Sequence, residues 1–144
     1  MTGESGGPGA IRSLTVTGED VVAAVETNRT TDREAVLRVT PPFSGRMRAR
    51  LHIVSASGPD GAPRPVNVDP ETLIDPDVPP YPRPSDTEDA IRADPGEAYT
   101  VERHREYHAD AVGAWREGIR DAIRERATID TPAGPTDVDI YVLG

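Results

Sequence analysis

The chain has 144 residues, of which 35% are hydrophobic and only 4% are aromatic, so its composition predicts one core built mainly from aliphatic side chains. Sixteen arginines and no lysine stand against 25 acidic residues, which gives a net charge of -9. The absence of cysteine excludes disulfides, thiolate metal sites and cysteine nucleophiles.

The charge balance also bears on where the protein works. A carboxylate excess without lysine suits a cytoplasm at molar salt, where a Debye length of about 3 Å screens repulsion between surface charges. A GC-rich genome is the other explanation for many Arg, Ala, Gly and Pro residues. No stretch reaches the roughly 18 apolar residues of a membrane span, and residues 1–10 lack a signal-peptide pattern. We therefore expect a cytoplasmic protein with no membrane partner.

The first half of the chain predicts a short helix and a hairpin. Residues 1–10 read as a disordered tail, and residues 11–144 as a single α+β domain. A short strand at 12–17 leads into a helix at 18–28, which Thr17 is placed to cap. Residues 34–40 and 46–54 alternate between apolar and polar side chains around a five-residue connection, a pattern typical of a β-hairpin.

The second half begins with a proline-rich loop at about 56–84, interrupted by a short strand at 66–68. Helices are predicted at 86–93 and 100–126, and a second hairpin at 127–131 and 136–143. Because parallel strands need crossover connections, we expect one antiparallel sheet of four to five strands. The long helix should pack on one face of that sheet, with one or two short helices beside it.

The strand at 46–53 places like charges together. Period two puts Met47, Ala49, Leu51 and Ile53 on a core face, and the opposite face then carries Arg46, Arg48, Arg50 and His52. If Thr40 pairs with Arg46, Arg38 lies opposite Arg48, which is destabilising unless an anion neutralises the cluster.

Two kinds of anion could neutralise this cluster. An internal one would come from Glu34 or from the acidic residues at 86–94. An external one would be a phosphate, a nucleotide or a nucleic-acid backbone, bound by bidentate guanidinium groups. Three phosphate contacts lose about three decades of affinity over a tenfold rise in salt, which argues against nucleic acid and leaves a small phosphorylated ligand. The predicted ligand residues are Arg38, Arg46, Arg48, Arg50 and His52.

The long helix carries a second candidate site. One face holds His104 and His108 beside Trp115 and Ile119, and two histidines four residues apart can reach one metal ion. The glutamate of the H-E-x-x-H motif is absent, however. The structural interpretation is that Trp115, Ile119 and Ile123 cover the sheet centre and the histidines its edge, each held by a backbone carbonyl or an Asp.

Three function classes stay open. No G-x-S-x-G, P-loop or G-x-G-x-x-G motif occurs, and we predict no cofactor. The leading hypothesis is a small non-enzymatic binding or regulatory domain that takes an anionic ligand on its arginine face. One alternative is an enzyme using His104 and His108, by metal or acid-base chemistry. The other is an interaction subunit that binds a protein partner through a sheet edge or through Pro79-Pro80-Tyr81-Pro82.

Several segments resemble a family of small acidic proteins from halophilic archaea, a domain of unknown function. They are AVLRVTPPFSGRMRARLH at 35–52, PPYP at 79–82, DTED at 86–89 and YTVERH at 99–104. The resemblance spans about residues 11–144. It implies a salt-adapted protein, and it implies no activity, cofactor or site residue.

Overall fold

The computed structural model of the chain describes residues 7–55 and 64–144. Within these residues the fold is α+β, with three α-helices and seven β-strands. The helices are α1 (Gly18–Thr30), α2 (Pro84–Ala93) and α3 (Val101–Asp121). The strands are β1 (Ser13–Thr17), β2 (Ala35–Val39), β3 (Arg46–Arg48), β4 (Arg50–Ile53), β5 (Val66–Val68), β6 (Arg126–Thr131) and β7 (Gly134–Leu143). Short 3-10 turns span Pro8–Ala10 and Pro70–Leu73.

The strands form two sheets rather than one. A four-stranded sheet has the order β3-β1-β7-β6, in which β1 runs parallel to both β3 and β7 while β6 is antiparallel to β7. A three-stranded antiparallel sheet has the order β4-β2-β5. The prediction of a single antiparallel sheet of four to five strands is therefore wrong.

The segment predicted as one strand at 46–53 changes sheets at Ala49. The Ala49 amide donates to the Thr15 carbonyl at 3.0 Å, which keeps β3 beside β1. From Arg50 onward the chain pairs instead with β2. The parallel pairing of β1 with β3 is possible because α1 and β2 lie between them in the chain and supply a long crossover.

This division changes the register of the predicted hairpin. Arg38 lies opposite Arg50, not opposite Arg48. The connection from β2 to β4 covers residues 40–49 and contains β3, so it is longer than the five residues that the sequence predicted. The second predicted hairpin is confirmed, since β6 pairs with β7 from Arg126 opposite Asp139 to Thr131 opposite Gly134.

One hydrophobic cluster contains side chains from both sheets. Leu14 and Leu37 are fully buried in it, and α1 and α3 contribute Val25 and Ile119. Leu51 and Ile53 were predicted to belong to this core, but they are 36% and 38% exposed. The reason is that β4 is the edge strand of its sheet, so its side chains lack a neighbouring strand on one side.

The helices largely follow the predicted pattern. The Thr17 side chain accepts a hydrogen bond from the Asp20 amide at 3.0 Å, which confirms the predicted cap of α1. Helix α3 ends at Asp121 rather than near 126, because Ile123 forms an isolated antiparallel bridge with Ile74. Helix α3 has its closest backbone contacts with α1 and α2, and its Trp115 and Ile119 belong to the hydrophobic cluster that includes both sheets. None of the helices in the described part of the chain is long and apolar enough to cross a membrane.

The predicted tail and proline-rich loop are described only in part. Residues 1–6 and 56–63 lie outside the described residues, and the extent of both features stays a prediction. The later prolines fold back onto the helices: the Trp115 indole donates to the Pro79 carbonyl at 3.1 Å, and the Tyr81 ring meets Trp115 edge-on at 4.8 Å. The Pro79 carbonyl is thus already used within the chain.

An ion pair between Glu26 on α1 and Arg116 on α3 lies next to Tyr81. Arg116 donates two hydrogen bonds to the Glu26 carboxylate, at 2.7 and 2.8 Å, and the Tyr81 hydroxyl donates a third at 3.0 Å. The Arg116 bonds lower the pKa of Glu26 most, burial opposes them, and the Tyr81 bond adds to the lowering. The charged carboxylate therefore joins α1, α3 and the proline-rich segment.

We expect this ion pair to make stability depend on pH. Because the folded pKa of Glu26 lies below its ordinary 4.5, its stabilisation is present above pH 4.5 and is lost as the pH falls through the lower folded value. Arg116 is half-exposed, so the contribution should be at most about 1 kcal/mol. Urea unfolding between pH 3 and 7 should show a shallower acid limb for Glu26→Gln than for the wild type. Glu19→Gln, on the same helix, is the control, and equal limbs in Glu26→Gln and wild type would contradict this role.

Candidate anion-binding cleft

Arginine side chains from two neighbouring strands meet on the outer face of the three-stranded sheet. Arg38 on β2 lies directly opposite Arg50 on β4, and His52 follows Arg50 on the same side of β4. Arg48, the last residue of β3, joins them where the chain changes sheets. Together they line a cavity of about 340 Å³, here called the arginine cleft, whose described lining residues are Arg38, Thr40, Met47, Arg48, Arg50, Leu51 and His52.

The arginine cleft has no anionic group among these lining residues. Arg38 Nε donates to the Asn67 side-chain oxygen at 3.0 Å, which orients that guanidinium without neutralising it. None of the ion pairs in the described part of the chain involves the cleft arginines. Three guanidinium groups and one imidazole therefore share one cavity without an ion pair within the described residues, although the Leu51 amide of the lining donates to the Asp20 carboxylate at 3.2 Å.

Helix α2 does not supply the internal counter-charge that was considered. Its Asp86 and Glu88 pair with Arg83 and Arg92 of the same segment, at 3.6 and 3.4 Å. Glu34 lines a different small cavity on the same sheet, with Asn67 and Asp69. Arg38 and Arg50 therefore lie opposite each other with no ion pair to either of them among the described residues.

One polar side-chain atom of Arg48 is buried without a hydrogen bond in the described part of the chain. Its Nε is buried and has no hydrogen-bond partner among the residues that the structure describes. A buried donor without an acceptor costs about 1 to 3 kcal/mol. A change of side-chain rotamer that brought this guanidinium to an acceptor in the cleft would recover that cost.

Arg46 lies apart from the other predicted ligand residues. It is exposed at the start of β3 and is not among the described lining residues of the arginine cleft. Two other residues complete the site instead: Thr40 lines it, and Asn67 holds Arg38. The Val-Asn-Val alternation of β5 places Asn67 on the outer face, but nothing in the sequence indicated that β5 pairs with β2.

The two histidines of α3 face α2 rather than a sheet edge. The Thr87 hydroxyl lies 2.8 Å from His104 Nε2 and 3.0 Å from His108 Nδ1, and the Pro84 carbonyl lies 3.0 Å from His104 Nε2. Because a carbonyl only accepts, His104 Nε2 carries a proton in that contact. The expected sheet-edge position is wrong, and these ring nitrogens hold α2 against α3.

A metal or acid-base role for His104 and His108 stays a prediction. No group of three or more His, Asp or Glu side chains that could hold a metal ion occurs in residues 7–55 and 64–144. The two ring centroids are 6.0 Å apart, and a ligand role would require breaking the contacts with Thr87 and Pro84.

A larger cavity lies elsewhere, between α1 and α3. It has a volume of about 660 Å³, and its described lining residues are Glu19, Val22, Ala23, Glu26, Arg116, Glu117, Arg120 and Asp121. Its charges are mixed, and its central Glu26–Arg116 pair is internally satisfied. We favour the smaller arginine cleft because its charges have one sign and no partner.

Comparisons with known proteins identify a family without a known activity. The chain matches "Domain of unknown function (DUF8009)" over residues 1–144. Comparison with curated proteins and with solved structures gives no match. Since the match covers its whole length, the chain belongs to the DUF8009 family.

Proposed function

We propose that this protein is a small non-enzymatic binding domain that takes an anionic ligand in the arginine cleft. One observation carries the proposal: Arg38, Arg48, Arg50 and His52 line one cavity, and no carboxylate is among its described lining residues. Guanidinium groups bind oxyanions through charge-assisted, often bidentate hydrogen bonds. A bound oxyanion would relieve the repulsion between Arg38 and Arg50 and give Arg48 Nε an acceptor.

The proposal also concerns the salt concentration at which the ligand binds. The net charge of -9 without lysine supports a protein adapted to a salt-rich cytoplasm. Binding there must survive screening, and short contacts inside a cleft are screened much less than contacts on an open surface. Binding assays therefore belong in molar KCl as well as in dilute buffer.

We expect pyrophosphate to stabilise the wild-type protein and not a variant lacking two cleft arginines. At a ligand concentration of 100 times Kd, the free energy of unfolding should rise by about 2.7 kcal/mol. The double variant Arg48→Gln with Arg50→Gln should lose this rise. Thermal unfolding with and without pyrophosphate, with total ionic strength held constant by KCl, measures both effects.

Arg46→Gln is the matched control, because Arg46 is a neighbouring exposed arginine outside the cleft. It should keep the full response to pyrophosphate. Without ligand, Arg50→Gln should be at least as stable as the wild type, since it removes the like charge opposite Arg38. Equal pyrophosphate responses in all variants would place any binding outside the cleft, and unfolding of the double variant would make the cluster structural.

A further inference from the structure

The number of hydrogen-bond donor groups in the arginine cleft indicates how many acceptor oxygens its ligand carries. A phosphate monoester offers three acceptor oxygens and a charge of about -1.5 to -2 at neutral pH. Two bidentate guanidinium groups would use all three oxygens, one of them shared. The cleft holds three guanidinium groups and an imidazole, so a single phosphate would leave some of them without an anionic partner.

The positions of these groups also indicate an extended ligand. Arg38 and Arg50 face each other across two strands, a separation of about 5.5 Å between Cα atoms for a hydrogen-bonded pair. His52 lies two residues further along β4, at about 6.8 Å. Arg48 approaches from β3, across the change of sheet at Ala49. Arg50 and His52 therefore follow each other along β4, with Arg38 beside Arg50.

The cavity is larger than one oxyanion requires. A water molecule occupies about 30 Å³ of liquid, so five-atom orthophosphate would fill less than half of a cavity of about 340 Å³. By the same allowance pyrophosphate, with nine heavy atoms, would occupy about 270 Å³, which is most of the cavity. Met47 and Leu51 are also lining residues, although the Leu51 side chain lies on the face of β4 opposite to that of Arg50.

We propose that the ligand carries two or more consecutive phosphates. This inference rests on the anion binding proposed above and adds the ligand's class. The shared chemistry is the phosphate chain, which could belong to inorganic polyphosphate or to a nucleoside di- or triphosphate. Arg38 and Arg50 bind one phosphate between them, and Arg48 or His52 binds the next.

Calorimetric titration can test the anion site and the assignment of a phosphate chain separately. The probes are orthophosphate, pyrophosphate, tripolyphosphate and adenosine triphosphate, each without divalent cations and at equal ionic strength. We expect pyrophosphate to bind at least about tenfold more tightly than orthophosphate, because it makes at least one further charge-assisted hydrogen bond. Arg50→Gln should reduce that ratio toward one, and Arg46→Gln should leave it unchanged.

Each outcome of this titration supports or overturns one part of the proposal. Equal affinity for orthophosphate and pyrophosphate would overturn the polyphosphate assignment and leave the anion site standing, whereas no binding by any probe would overturn both. Equal binding of tripolyphosphate and adenosine triphosphate would support the phosphate chain as the recognised part, and tighter binding of the nucleotide would support it and assign the source. A hexaglutamate peptide that binds as tightly as tripolyphosphate would overturn the assignment in favour of an acidic protein segment.

Discussion

Trp115→Ala should lower the free energy of unfolding by about 3 to 5 kcal/mol, the largest effect that we expect from one substitution. The indole is only 5% exposed and belongs to the main hydrophobic cluster. Its removal would also leave the Pro79 carbonyl with only the hydrogen bond from Arg29 Nη1, at 3.3 Å, and would remove the edge-on partner of Tyr81. Urea denaturation at neutral pH measures the loss.

Trp115→Phe separates packing from hydrogen bonding at this position. It keeps most of the aromatic contact with Tyr81 and loses the donor to Pro79, so it should cost about 1 to 2 kcal/mol. If Trp115→Ala cost less than about 1 kcal/mol, the indole could not join the proline-rich segment to the core in solution as it does in the structure.

Leu37→Ala should have the second largest effect, a loss of about 2 to 5 kcal/mol. Leu37 is fully buried on β2, the central strand of the three-stranded sheet. Its cross-strand partners are Leu51 on β4 and Val68 on β5. The measurement is again the free energy of unfolding in urea.

Leu51→Ala is the matched substitution, since the same side chain is removed from the paired position on the edge strand. It should cost less than about 1 kcal/mol, because Leu51 is 36% exposed. An equal loss from the two substitutions would contradict the exposed position of Leu51 on the edge strand β4.

Local signals predicted the local elements well. Thr17 followed by two acids and an apolar run indicated α1 and its cap, and the turn at 132–135 indicated the last hairpin. Each of these elements is specified by residues near one another in the chain. Strand pairing is different, because nothing near β1 shows that it lies between β3 and β7.

The change of sheet at Ala49 had no detectable signal. The alternation from Arg46 to Ile53 is unbroken, so a period of two predicts one strand with one apolar face. The backbone nevertheless bonds to Thr15 at Ala49 and to β2 from Arg50 onward. A small residue such as Ala49 suits the point where the chain leaves one sheet for the other, but alanine is too common in sequences to indicate such a point.

The same alternation explains which part of the candidate site could be predicted. Arg50 and His52 share a face of β4 by period two, and the pairing of β2 with β4 brings Arg38 beside them. Arg46 was included because the strand was taken as continuous, but it is exposed at the start of β3 and is not among the described lining residues of the cleft. The hydrogen bond from Arg38 to Asn67 depends on β5, whose pairing partner was not predicted.

The central claim, that an anion binds in the arginine cleft, is tested most directly by NMR of the arginine side chains. The spectrum contains one Nε–Hε signal for each of the sixteen arginines, and pyrophosphate is titrated at constant ionic strength. We expect saturable shifts of Arg38, Arg48 and Arg50, with Arg46 unchanged. Shifts confined to Arg116 and Arg120 would place the site between α1 and α3, and no saturable shift in any signal would contradict the claim.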